Sequence, residues 1–183
     1  RPGLANRGGG VAVGLVLVLI MSLAAAAGST PELLKQAREE AAAGRRRESA
    51  VLLYKVLEAD PGQKTAWARL AVLYEKEGQF PQAQWLWGRL AMDEQWGGEA
   101  LYSMAALSEE MGRPAEAIRF YLAVPQYHPR DDRWVAPSVV RAADLWAASG
   151  DRARARSLIE GLLKSGQASL GREPLERRLK EWK

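Results

Sequence analysis

Apolar residues along this chain keep a helical beat that stops and restarts at glycines. Between Lys64 and Leu90, Trp67, Leu70, Ala71 and Tyr74 share one helical face. The beat breaks at Gly78, after which Ala83, Trp87 and Leu90 share the face of a second helix. Neither helix is long enough to be stable alone with so much apolar surface, so each must pack against something. The same pattern recurs. Gly44, Gly78 and Gly112 are 34 residues apart, and Gly150 follows after 38. Before each glycine stands an apolar helix: Leu33 and Ala37; the Trp67 set; Leu101, Met104 and Ala105; then Val139, Ala142, Ala143 and Trp146.

After each glycine the positions also align. A small residue stands five positions on (Ser49, Ala83, Ala117, Ala155) and a bulky one four further (Leu53, Trp87, Tyr121, Ile159). Three more give Val56, Leu90, Val124 and Leu162. Small residues let paired helices approach, and bulky ones fill the space between neighbouring pairs. Glycine ends the first helix of each pair because it enters the left-handed conformation without strain. Pro81 and Pro114 suit the first turn of the second helix, where no amide partner is lost. Pro61 and Pro129 close the first and third units.

These residues resemble the tetratricopeptide repeat (TPR) family over residues 30 to about 167, matching its W-x2-L-G-x2-Y, A-x3-F and P positions. The second unit matches best, through Trp67, Leu70, Ala71, Tyr74, Ala83 and Trp87. Gln36 and Glu40 in the first unit, Ser108 in the third, and Gln95 and Gln167 where Pro is usual depart from the pattern. The resemblance implies an all-α fold, a right-handed α-solenoid of about four helix hairpins plus a C-terminal capping helix. The expected units span about 30–63, 64–97, 98–131 and 136–169 within an array of 28–167, and the cap spans 170–183, with Leu175, Leu179 and Trp182 on one face. The four extra residues of the last interval fall in "YHPRDDRWVAP" and imply a longer inter-repeat turn. Such a turn is similar to those of exported bacterial cell-envelope TPR proteins.

The first 27 residues read differently. A basic, glycine-rich start (Arg1, Arg7, Gly8 to Gly10) precedes the uncharged run "VAVGLVLVLIM" and then "SLAAAAG", the layout of a secretory signal with a cleavage site after Ala27. The rival is an uncleaved anchor: Val11 to Ala27 is 17 residues, at the short end of what spans a bilayer. Either reading sends the remainder across the membrane and makes the protein exported, in the bacterial periplasm or tethered to the inner membrane through residues 11–27.

Composition narrows the chemistry. The 183 residues include no Cys and one His, His128, which leaves no thiolate or multi-histidine metal site and no cysteine nucleophile. The net charge of +4 divides as +2 over residues 1–27, −2 over 28–129 and +4 over 130–183, too diffuse for a nucleic-acid footprint. The adjacent pair Glu109 and Glu110 points about 100° apart on a helix and reads as a solvated face. Asp131 and Asp132 read as turn or capping residues, and His128 as a solvated loop residue. "RRRES" at Arg45 and "RARAR" at Arg152 spread charge over solvated faces. No catalytic residue, cofactor or metal site emerges.

What remains is binding. The first helix of each unit is expected to line the concave side, which this fold uses for extended peptides. By register, that groove takes Leu34, Lys35 and Arg38 from the first unit and Ala68, Val72 and Glu75 from the second. Tyr102, Ser103, Ala106 and Glu109 come from the third, and Val140, Arg141 and Asp144 from the fourth. The family's carboxylate-gripping mode places Asn where Arg38, Val72, Ala106 and Asp144 stand here, which argues against it. Trp85 falls outside the core positions and is expected nearer the convex side, and Trp96 and Trp134 lie in linkers. The leading expectation is a non-catalytic scaffold that binds a partner peptide or protein. Its rivals are a membrane-anchored subunit self-associating through its convex or terminal surface, and an enzyme using Glu109 or the Asp131/Asp132 turn.

Overall fold

The computed structural model describes residues 28–166 and 172–182, and they fold into two compact units that meet in sequence between Pro61 and Gly62. The expected signal or anchor lies outside the described residues. Among those described there are nine helices and no strand, and no helix long and apolar enough to cross a membrane.

The first unit is one hairpin, α1 (Thr30–Ala42) and α2 (Arg46–Ala59). Leu33 and Ala37 of α1, and Ser49, Leu53 and Val56 of α2, are buried. Ser49 stands where the other repeats carry Ala, and its Oγ donates to the Ala37 carbonyl across the hairpin at 2.7 Å. The hydroxyl is therefore satisfied without widening the contact.

The second unit carries three more hairpins. They are α3 (Lys64–Lys76) with α4 (Phe80–Gly88), α5 (Gly97–Glu110) with α6 (Pro114–Tyr127), and α7 (Asp132–Ala148) with α8 (Arg152–Ser165). Helix α9 (Arg172–Glu181) lies against α7 and α8. Within each hairpin the turn is the same device. Gly44, Gly78, Gly112 and Gly150 have φ between 70° and 93°. The residue after each donates its amide to the carbonyl five positions earlier at 2.8–2.9 Å, as in Arg113 to Ser108. A Cβ on Gly78 or Gly112 would meet nothing within 4 Å, so the backbone alone demands glycine there.

The ladder read from the sequence is the core. Ala83, Ala117 and Ala155 have no exposed surface, and Trp87, Tyr121, Ile159, Val124 and Leu162 are buried beside them. Ala117 and Tyr121 cluster with Ala105 and Ala142, and Val124, Ala155, Ile159 and Leu162 with Leu101, Val139 and Ala143 of the first helices; Leu175 of α9 is fully buried in the latter cluster. Leu179 and Trp182 pack on its edge.

Three local features differ from the expectation. Trp67 is only half-buried; its ring meets Trp85 edge-on at 5.9 Å instead of filling the core. Helix α4 stops at Gly88, and residues 89–96 turn irregularly. Asp93 stands in for the absent proline there, accepting the amides of Gln95 and Trp96 at 3.0 Å and pairing with Lys64. Finally, the four extra residues do not lengthen a turn. They extend α7 to 17 residues from Asp132, because Val135, Ala136 and Val139 bury a further turn of apolar face. Pro137 sits inside that helix without breaking it.

Truncating Trp87 to Ala is expected to lower the unfolding free energy by about 3–5 kcal/mol, and Gly112→Ala by about 1–2 kcal/mol through backbone strain alone. Urea denaturation followed by circular dichroism measures both.

Candidate protein-binding groove

In the second unit the first helices α3, α5 and α7 present the residues expected to bind. The structure sorts them into three groups. Ala68 is buried and belongs to the core, because its face of α3 is covered; it is not a surface residue. Val72, Tyr102, Ser103, Ala106 and Val140 are half-buried, and Arg141 is exposed. Glu75, Glu109 and Asp144 are half-buried and already held by partners. In the first unit Leu34 is half-buried and Lys35 and Arg38 are exposed on α1.

The carboxylates follow a rule set by the ladder. Trp87 Nε1–H donates to Glu75, and Tyr121 Oη–H donates to Glu109 at 2.6 Å. Each pair is separated by 12 residues and each member is 34 residues from its counterpart. A bulky core residue with one polar atom needs an acceptor, and the facing first helix supplies it. Glu109 therefore corrects the solvated-face reading: its second oxygen also accepts from Arg141 of α7 at 2.6 Å. Glu110 is exposed as expected. Burial pushes the Tyr121 phenol up, and its bond to Glu109 pushes the same way. The bond to Glu109 holds the Arg141 guanidinium firmly charged. Asp144 is taken by Arg178 of α9 at 2.8 Å.

Between α5, α7 and the start of α9 lies a mainly apolar cavity of about 450 Å³. Tyr102, Ala136, Pro137, Val140 and Pro174 form its walls, with Asp132, Arg133 and Arg141 at the rim. Tyr102 is fixed there by Trp134, 4.8 Å away between ring centres, and edge-on by Tyr121 at 5.2 Å. The register named Tyr102, Val140 and Arg141. It missed Arg133, Ala136 and Pro137 because α7 was expected to start a turn later; extending its apolar beat back through Val135 was the available signal. Pro174 comes from α9, which the repeat register does not reach.

A second, more polar cavity of about 520 Å³ lies where α6 runs into α7, lined by Glu94, Tyr127 and the segment 128–133. His128 is not a solvated loop residue. It is half-buried, its Nε2 lies 2.8 Å from the Ala91 carbonyl, and it occupies the space a Cβ on Gly97 would need. Gly98 likewise leaves room for Asp131, whose carboxylate pairs with Arg133 at 3.1 Å. The Trp134 indole N–H is buried without a hydrogen-bond partner among the described residues. Desolvation raises the Glu99 carboxyl, opposed by Arg133 and assisted by Asp131. Among the described residues no group of three carboxylates or imidazoles is placed to hold a metal ion. The arginine runs are largely surface charge, with Arg45 on Glu40, Arg154 on Asp151 and Arg156 on Glu160.

Burial raises the Glu75 carboxyl, with the bond from Trp87 opposing and Glu99 adding to the rise. A raised carboxyl favours the protonated folded form. Its contribution is therefore present below the ordinary carboxylate pKa of about 4.3 and lost as pH rises through the higher folded value. Glu75→Gln keeps an acceptor for Trp87, and is expected to flatten the dependence of unfolding free energy on pH between about 4.3 and the higher folded value. Denaturation at a series of pH values checks this.

Known proteins share the helical fold. A tetratricopeptide repeat family profile matches residues 40–95. No curated protein matches the chain in sequence. Among solved structures, MamA is similar at 18% identity with a TM-score of 0.62, covering 80% of this chain and 84% of its own. MamA AMB-1 is similar at 15% identity and a TM-score of 0.59, covering 79% and 77%. A tetratricopeptide repeat protein from Parabacteroides merdae ATCC 43184 is similar at 13% identity and a TM-score of 0.64, covering 84% of this chain and 59% of its own. At such identities the structural likeness speaks for the fold alone, and the matched profile identifies tetratricopeptide repeat sequence over residues 40–95.

Proposed function

We propose that this protein is a non-catalytic scaffold of the bacterial cell envelope that holds a segment of a partner protein in the groove between α5 and α7. The observation that carries the reading is the apolar cavity beside Tyr102 and Val140, rimmed by Asp132, Arg133 and Arg141. An apolar hollow with a few fixed polar groups at its mouth is what a peptide side chain and its flanking backbone need. Tyr102 is already immobilised by Trp134 and Tyr121, and Arg141 by Glu109, so binding would order few side chains anew. The envelope location rests on the signal-like order of residues 1–27, which also leaves room for a tether to the inner membrane.

A photo-crosslinking amino acid at position 102 of the full chain, irradiated in envelope extracts, tests the reading. We expect a discrete adduct that Val140→Asp reduces about tenfold or more, since it puts an uncompensated charge in the apolar wall. A yield at position 102 no greater than at Glu110 or Arg113, both exposed, would contradict it.

A further inference from the structure

A cleft that shares no lining residue with the α5–α7 groove lies elsewhere on the second unit. The second helices α4 and α6, with Met104 of α5 between them, enclose a shallow cleft of about 600 Å³. Pro81, Trp85, Met104 and Phe120 give it an apolar lining. A Cβ on Gly88 would come no nearer than 3.9 Å to the end of Met104, so the floor is open.

Two polar groups are fixed in this cleft. Gln84 donates its amide nitrogen to the Met104 carbonyl at 3.2 Å and to Ser108 Oγ at 2.9 Å. Ser108 in turn donates to the Met104 carbonyl, so its oxygen accepts from Gln84 and the amide orientation is settled. The Gln84 amide oxygen is left as an acceptor at a cleft-lining position, with no donor among the described residues. Arg89 lies with its guanidinium carbon 4.8 Å from the Trp67 ring centre and 5.6 Å from that of Trp85. The two rings meet edge-on, and Trp85 is held there although 60% exposed. Among the described residues Arg89 pairs with no carboxylate, and no acidic residue lines the cleft. A guanidinium stacked on aromatic rings keeps its in-plane N–H fork available for a carboxylate.

We propose that this cleft binds a short extended acidic segment of a partner protein. Its apolar side chain sits against Trp85, Met104 and Phe120, a backbone N–H donates to Gln84, and a flanking carboxylate takes the Arg89 fork. Charge complementarity selects the occupant: the one charged lining residue is a preorganised, unpaired cation. This site shares no lining residue with the α5–α7 groove, so either can fail alone.

The test uses the full chain with isotope-labelled tryptophan and three capped peptides. One is Ser-Asp-Glu-Pro-Leu-Glu-Asp-Ser, one has Asn and Gln for its acids, and one has Lys and Arg. The Trp85 indole N–H resonance, assigned with Trp85→Phe, is followed by titration. We expect a saturable shift with the acidic peptide and affinity weaker by about tenfold or more for the neutral one. Arg89→Gln should weaken the acidic peptide similarly, Arg89→Lys less, and Arg113→Gln not at all, with undisturbed remaining indole signals showing that each variant is folded. Equal binding of neutral or basic peptides, indifference to Arg89→Gln, or a shift at Trp134 instead of Trp85 would overturn the proposal. So would a Trp85 shift that follows protein concentration without peptide, which would make a second copy the occupant.

Discussion

Burial of the second-helix ladder against the neighbouring hairpin is the interaction on which the second unit depends. Each hairpin leaves an apolar flank that its own two helices cannot cover, and an isolated pair of such length has no core. The small residue at Ala83, Ala117 and Ala155 lets the helices of a pair close up, and Trp87, Tyr121 and Ile159 fill the space that remains. The glycine turn makes this possible by reversing the chain within three residues. At the end of the array Leu175 of α9 does for the last hairpin what a further repeat would have done.

The surfaces inherit their order from that ladder. Trp87 and Tyr121 are core residues, yet each has one polar atom, and those atoms select Glu75 and Glu109 on the first helices. Glu109 then fixes Arg141, while Tyr121 and Trp134 fix Tyr102. The groove side chains are therefore positioned by the core beneath them rather than by a ligand. Across the unit, the departure of Trp67 from the core has the converse effect: it stacks with Arg89 and holds Trp85 in place on the face of α4.

The fold was legible because it repeats. Glycines at a constant interval, and small and bulky residues at constant offsets from them, show in a single sequence and need no knowledge of distant contacts. What escaped reading depends on contacts between segments far apart in sequence or on local turn geometry. His128 looked solvated because nothing near it in sequence shows that Gly97 leaves a space of its size. The end of α4 at Gly88 reflects the Asp93 turn and its pairing with Lys64. The Glu75–Trp87 and Glu109–Tyr121 pairs could have been found, since both share one offset and one period, but a carboxylate on a helix face reads as solvated until its partner is known. In the groove, Tyr102, Val140 and Arg141 followed from register, whereas Ala136 and Pro137 required the longer α7.

Native-state amide hydrogen exchange of the full chain carrying Trp87→Ala tests the dependence of hairpins on one another most directly. If neighbours shelter each other's flanks, protection falls in α5 and α6 as well as in α3 and α4, and fades toward α8. Loss confined to the altered hairpin, with α5 and α6 protected as before, would mean that each pair stands alone, and the stacked scaffold would not be the right description.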